Sequence, residues 1–251
     1  FFLHLFACSS SHSYKRDESQ EDGKFLTLEQ EVGWGRAIDE EIRREYVLFK
    51  DVGLQKKISE IGNQIVNHSE RKELKFKFQI LYTNEVNAFA VPGGFIYITT
   101  GFLDRIENID ELACVLGHEI AHIALNHSVE QLQTIIWANR GINFLKLGTI
   151  IVGGPAIAFI ATDFITFLGM KGYSRGYEKE ADTNGTVYAF NAGYDPGQLI
   201  NLFKKMEEED KKYRKKVNVF ENYLRTHPPF DKRIANIEKV IDKLMENKET
   251  N

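Results

Sequence analysis

Two imidazoles and a carboxylate stand within five residues of one another in the run LGHEIAHIALNH, residues 116–127. His118 and His122 are spaced i, i+4, so on a helix they project one above the other from a single face. Their ring nitrogens can then reach one cation at the roughly 2.0–2.1 Å of a zinc–imidazole bond. Glu119 is turned about 100° away around the helix, which suits it to taking a proton from a nearby water molecule rather than to binding the cation. A zinc ion held there makes water a nucleophile near neutral pH and polarises a carbonyl. That is the chemistry of peptide hydrolysis without a covalent intermediate, with Glu119 as general base. The competing reading is a pair of hydrogen-bonded histidines in a polar patch of a core helix. Against it stands the cost of burying two imidazoles and a carboxylate among apolar neighbours without partners. The pattern is therefore read as a site for one Zn2+ per chain.

A catalytic zinc needs a third protein ligand and one open position. His127 fails on spacing, because it lies five residues past His122 and leaves the ligand face if the helix continues. A three-histidine motif would need histidine at 128 and glycine at 125, where Ser128 and Leu125 stand. The run SRGYEKEADTNG, residues 174–185, supplies a carboxylate instead. Glu178 and Asp182 share a helix face at i, i+4 spacing. Glu178 is assigned to the metal. Asp182 is assigned to orienting a ligand histidine through its free ring N–H, and Glu180 points elsewhere.

These side chains need elements to hold them. Thr27 and Gln30 have the spacing of a capping box, so a helix is expected from there to about Phe49. Leu54, Ile58, Ile61 and Ile65 recur at helical spacing and predict a second helix. In KFKFQILYT the period falls to two at Phe76, Phe78, Ile80 and Tyr82, as in a strand with one buried face. NAFAVPGGFIYITTG follows, with Pro92-Gly93-Gly94 reversing the chain between two extended runs. A small antiparallel sheet is expected before the motif helix, which Asp110 would cap and which would run to Ser128 or beyond. Helices are expected near Tyr177 to Phe190, from Asp195-Pro196, and from Phe230 to about Glu246. The fold class is α+β, mainly helical.

The chain has 251 residues with 32 basic against 36 acidic side chains, and a net charge of -4 gives little support to nucleic-acid binding. Two cysteines, Cys8 and Cys114, argue against a disulfide scaffold. FFLHLFACSSSHS, apolar to Cys8 and then polar, looks like a bacterial lipobox remnant, with Cys8 as the lipid-modified residue. Residues 1–24 then form a tether and 25–247 the catalytic domain. Residues 142–170 are the most hydrophobic stretch, yet only 16 uncharged residues separate Lys146 from Asp163, with glycines and Pro155 among them. A membrane span needs about 20. Buried helical pieces are the favoured reading, and an apolar lid or a surface resting on a bilayer the alternative.

Taken together, NAFAVPGG (87–94), HEIAH (118–122), EKEAD (178–182) and THPPFDKRI (226–234) resemble the zinc metallopeptidases related to the CaaX prenyl protease. The similarity is to their soluble bacterial envelope branch, of zincin-like fold, and spans about residues 30 to 245. The resemblance implies His118, His122 and Glu178 as ligands, Glu119 as base and Asp182 as their support. It puts Arg233 and His227 near the cleft, with His227 either steadying the oxyanion or merely leading into a helix at Pro228-Pro229. Asn87, Ala88, Phe89 and Ala90 would border the cleft as an edge strand with which an extended substrate pairs, or else form an ordinary internal strand. The implied role is proteolysis of unfolded or damaged envelope proteins in the periplasm, from an outer-membrane lipid anchor. The alternative is a chaperone-like, zinc-containing binding module whose active site is latent or occluded.

Overall fold

The computed structural model describes residues 26–138, 155–213 and 220–249. The expected tether with Cys8 and residues 142–154 of the apolar stretch lie outside them.

Helix α1 (Leu28–Glu45) begins as its sequence dictates: the Thr27 hydroxyl accepts the Gln30 N–H at 3.2 Å and Gln30 accepts the Thr27 N–H at 2.9 Å. It stops short of Phe49 because the chain turns extended at Tyr46, and Leu48 then bridges to Leu81 at the margin of the sheet. Helix α2 (Val52–Val66) buries Ile58, Ile61 and Ile65, the stripe its spacing predicts.

Strands β1 (Lys77–Leu81), β2 (Ala88–Val91) and β3 (Phe95–Thr99) form a sheet in the order β1-β3-β2. Gly93 and Gly94, at φ 79° and 89°, reverse the chain between β2 and β3 in an antiparallel hairpin. The sheet is not antiparallel throughout, however: β1 pairs with β3 and runs parallel to it. The cause is the 82–87 connection, which crosses the end of β3 under the hydroxyls of Thr99 and Thr100. Thr99 donates to Glu85 O at 2.6 Å and Thr100 to Thr83 O at 2.8 Å. The expected single buried face of β1 also gives way to two. Phe78 and Ile80 join Ala88, Ala90, Ile96 and Ile98 in a core with α2, while Leu81 joins Val91, Phe95 and Tyr97 against Trp34, Ile38 and Ile42 of α1.

After the short α3 (Thr100–Leu103) comes α4 (Ile109–Ala124), buried at every position from Glu111 to its end. Asn108, not Asp110, caps it, accepting the Glu111 N–H at 2.9 Å. Nor does α4 reach Ser128: Asn126 adopts φ 63°, and α5 (His127–Ala138) starts on a new axis. The remaining helices are α6 (Pro155–Met170), α7 (Arg175–Asn191), α8 (Gly197–Tyr213), α9 (Glu221–Thr226) and α10 (Phe230–Glu249). Helix α6 buries Ile160, Ala161, Phe164 and Leu168 in the α1 core and leaves Phe159 exposed. Among the described residues no helix is long and apolar enough to cross a membrane.

The contact that builds the site is α4 against α7. Gly117 and Gly185 let the two backbones touch: a Cβ on Gly185 would lie 2.7 Å from the Gly117 carbonyl carbon and from His118 N. The architecture is the expected α+β class, mainly helical, with one small sheet preceding the motif helix.

Candidate metal centre

Helix α4 presents His118 and His122, and α7, drawn in by the glycine pair, presents Glu178 to both. His118 Nε2 and His122 Nε2 lie 3.1 Å apart, and Glu178 oxygens lie 3.3 Å from His122 Nε2 and 3.7 Å from His118 Nε2. Two nitrogens on a tetrahedral zinc at 2.0–2.1 Å stand about 3.3 Å apart, so the donor atoms have the spacing such an ion requires. One ligand atom from each of the three residues falls within 4.8 Å of the others. All four motif side chains are buried, with Glu178 at 1% and Glu119 at 2% exposure. Glu178 Oε1 is buried without a hydrogen-bond donor among the described residues, a costly state that a cation bound to it relieves, and Glu119 Oε2 is likewise left without one.

Each ligand imidazole is held from behind. His118 Nδ1 lies 3.0 Å from Asp182 Oδ1; a proton donated there leaves the Nε2 lone pair facing the centre. Asp182 in turn accepts from Arg233, through Nη2 at 2.6 Å and Nε at 3.1 Å, and Arg233 also reaches the Tyr223 hydroxyl. His122 Nδ1 lies 3.1 Å from His127 Nδ1, and His127 Nε2 lies 3.1 Å from Glu180 Oε2. A carboxylate only accepts, so Glu180 places the His127 proton on Nε2; His127 Nδ1 then accepts from His122 Nδ1, and the His122 Nε2 lone pair is freed. Tyr173 completes this wall. Its ring stacks on His122 at 4.0 Å and its hydroxyl donates to Ala90 O at 3.0 Å.

Glu180 therefore does not simply point away, and His127 sits beside the ligand set because the helix breaks ahead of it. The signal was Asn126, a residue that tolerates positive φ and ends helices. Nothing in the spacing pointed to Tyr173.

Electrostatics follow from this burial. Burial, with Arg233 nearby, lowers the His118 pKa to about 3, and burial lowers that of His122. Both rings are thus neutral, the form that binds metal. Burial, with the Glu178 charge, pushes the Glu119 carboxyl up to about 8, near where a group exchanging protons at neutral pH should lie. Burial also opposes the Glu178 and Asp182 carboxylates, but His227 on one and Arg233 on the other outweigh it and hold both below the usual range.

The other residues singled out in the sequence surround this centre. His227, placed by the end of α9, has Nδ1 2.7 Å from Glu178 Oε2. Ala88, Phe89 and Ala90 lie on β2, the edge strand, and Asn87 immediately precedes it. Asn87, Ala88, Phe89, Glu119, Leu168 and His227 line a narrow cleft with room for about one water molecule.

The pattern of peptidase family M48 matches residues 53–241, and so takes in both halves of this centre. The chain belongs to peptidase family M48, a family of metallopeptidases. The chain is 26% identical over 220 residues to a beta-barrel assembly-enhancing protease of Yersinia pestis, covering 85% of this chain and 44% of that protein. It is 31% identical over 208 residues to the mitochondrial metalloendopeptidase OMA1 of Saccharomyces cerevisiae, covering 82% of this chain and 57% of that one. The chain spans about half the length of the curated relatives it matches.

Proposed function

We propose that this M48 chain is a zinc metalloendopeptidase that cleaves unfolded or damaged polypeptides of the bacterial cell envelope. The observation that carries the reading is the convergence of His118, His122 and Glu178 donor atoms within 4.8 Å, beside a Glu119 carboxyl with no donor on Oε2. Zinc, when bound, supplies Lewis acidity and lowers the pKa of water to about 7. His118, His122 and Glu178 hold it. Asp182, held in place by Arg233, accepts the His118 Nδ1 proton and so keeps His118 in the tautomer that binds. Glu119 takes a proton from water and returns it to the leaving amine. An extended substrate pairs with β2 through backbone groups, which demands little of its side chains and suits unfolded chains. His227, which lines the cleft, is assigned to steadying the developing oxyanion.

The envelope assignment draws on the relatives named beta-barrel assembly-enhancing protease in Yersinia pestis and Escherichia coli. It draws also on the lipobox-like residues ending at Cys8, from which a lipid anchor would hold the domain in the periplasm. The decisive experiment is Glu119→Gln. It should keep stoichiometric zinc and lose casein hydrolysis by at least about 100-fold; cleavage at the wild-type rate would refute the role of Glu119. A second reading, a chaperone-like module with an occluded site, is favoured by one observation, the narrowness of the cleft over Glu119. It requires zinc-loaded wild-type protein that suppresses aggregation and releases no fragments.

A further inference from the structure

Beside the Asp182–Arg233 pair, α7 and α10 border an open hollow of about 290 Å3. Its lining includes Arg175, Lys179, Lys232 and Lys239, with Asp182 and Arg233 also contributing. Asp182 and Arg233 are already committed to each other at 2.6 Å. The other four cations are exposed, and none has an ion-pair partner among the described residues. In a chain of net charge -4, one cavity thus gathers four uncompensated positive charges.

Two of the four also sit where a helix disfavours a cation. Arg175 is the first residue of α7 and Lys232 the third of α10, at the positive ends of both helix dipoles. A cation there is unfavourable, and an anion favourable. The acidic residues of those two first turns, Glu178 and Asp231, do not line the cavity. Four exposed cationic side chains thus border one hollow whose single lining carboxylate, Asp182, is already paired with Arg233.

We propose that this cavity binds a phosphate group. A phosphomonoester carries about −1.5 to −2 charges near pH 7 and three acceptor oxygens, which match several converging donors as a single carboxylate does not. The space admits an organic substituent as well. The phosphomonoester belongs either to a soluble metabolite or to a lipid of the phosphatidic acid type, and both present the same dianionic head.

The test uses the full, metal-loaded chain titrated with glycerol 3-phosphate at constant ionic strength, followed by calorimetry. A parallel arm measures sedimentation with vesicles of phosphatidic acid in phosphatidylcholine and with pure phosphatidylcholine. The cavity variant is Lys179→Glu with Lys239→Glu. The control, Lys57→Glu with Lys72→Glu, makes the same charge change at exposed sites elsewhere. In whichever arm binds, the cavity variant should weaken binding at least about tenfold, or ~1.4 kcal/mol, and the control less than about twofold. Binding confined to the soluble ester, or to anionic vesicles, supports the proposal and names the source. Absence of binding in both arms, or equal weakening by the two variants, overturns it. Circular dichroism of the variants confirms that they are folded.

Discussion

Arg233→Met tests the idea that a buried ion pair, rather than the helix alone, holds His118 in place. Arg233 is 3% exposed and donates to both Asp182 oxygens. Its guanidinium also lies 4.5 Å from the Phe203 ring centroid. Methionine retains the apolar stem but leaves Asp182 charged, buried and close to Glu178 and Glu119. Removing one partner of such a pair costs about 3–5 kcal/mol. Protonation of Asp182 caps the loss. Starting from the ordinary carboxyl value of 3.8, neutralising it at pH 7 costs (7 − 3.8) × 1.36, or about 4 kcal/mol. At pH 5 the same product is only about 2 kcal/mol. In the variant, folding takes up a proton between pH 3.8 and the raised pKa, so the variant loses stability relative to wild type as pH rises through that window. Wild-type Asp182, whose pKa is depressed, gives up its contribution only as pH falls below about 3.8.

Urea denaturation of chelated protein should therefore show a loss of about 3–4 kcal/mol at pH 7 and about half that at pH 5. The corresponding melting point falls by roughly 6–16 °C at pH 7. Adding Asp182→Asn to Arg233→Met should recover at least about 2 kcal/mol, because no charge is then left unpaired. A loss below about 1 kcal/mol at pH 7, or equal losses at both pH values, would refute the reasoning.

His127→Ala should weaken zinc binding by about 10–100-fold in chelator competition, because His122 loses the partner that fixes its proton; unchanged affinity would remove His127 from the site. Gly185→Ala puts a Cβ 2.7 Å from the α4 backbone, so it should destabilise the fold by about 1–3 kcal/mol and lower zinc affinity by moving Glu178 away. Full metal affinity in that variant would show that α7 can bind from further off. In the metal-free protein His118, lowered to about 3, stays neutral on folding while the unfolded ring takes a proton below its ordinary 6.5. Stability should accordingly fall as pH drops from 6.5 towards 3, and zinc content after dialysis should stay stoichiometric at about pH 6. Complete release of zinc at pH 6.5 would contradict the neutral, buried imidazoles.

What the sequence disclosed divides along a physical line. Helix periodicity alone puts His118 beside His122, and Glu178 on one face with Asp182, so these pairs could be read from spacing. The capping box at Thr27 and the reversal at Gly93-Gly94 are equally local, and both form as expected. The errors lie where a non-local contact decides. Whether β1 pairs with β2 or β3 depends on Thr99 and Thr100 gripping the 82–87 connection, and no strand pattern contains that information. The break after Ala124 was written in Asn126, but the apolar run around it argued for one long helix.

The Gly117–Gly185 contact explains why the third donor was legible at all. Glu178 and Asp182 lie seven and three residues before Gly185, two turns and one turn along α7, and so on the side of the helix that touches α4. Gly117 immediately precedes His118. The close approach and the ligands thus occupy one helix face each, and the carboxylate that packing brings nearest is the one whose chemistry was missing. Cleft closure has no such local signature. Leu168 comes from α6, Tyr173 from the turn after it and His227 from the end of α9. Three separate segments meet over Glu119, and a substrate can reach β2 and the metal centre only if at least one of them moves. Of the three, the segment carrying His227 is tied directly to the centre, through the 2.7 Å contact of His227 with Glu178.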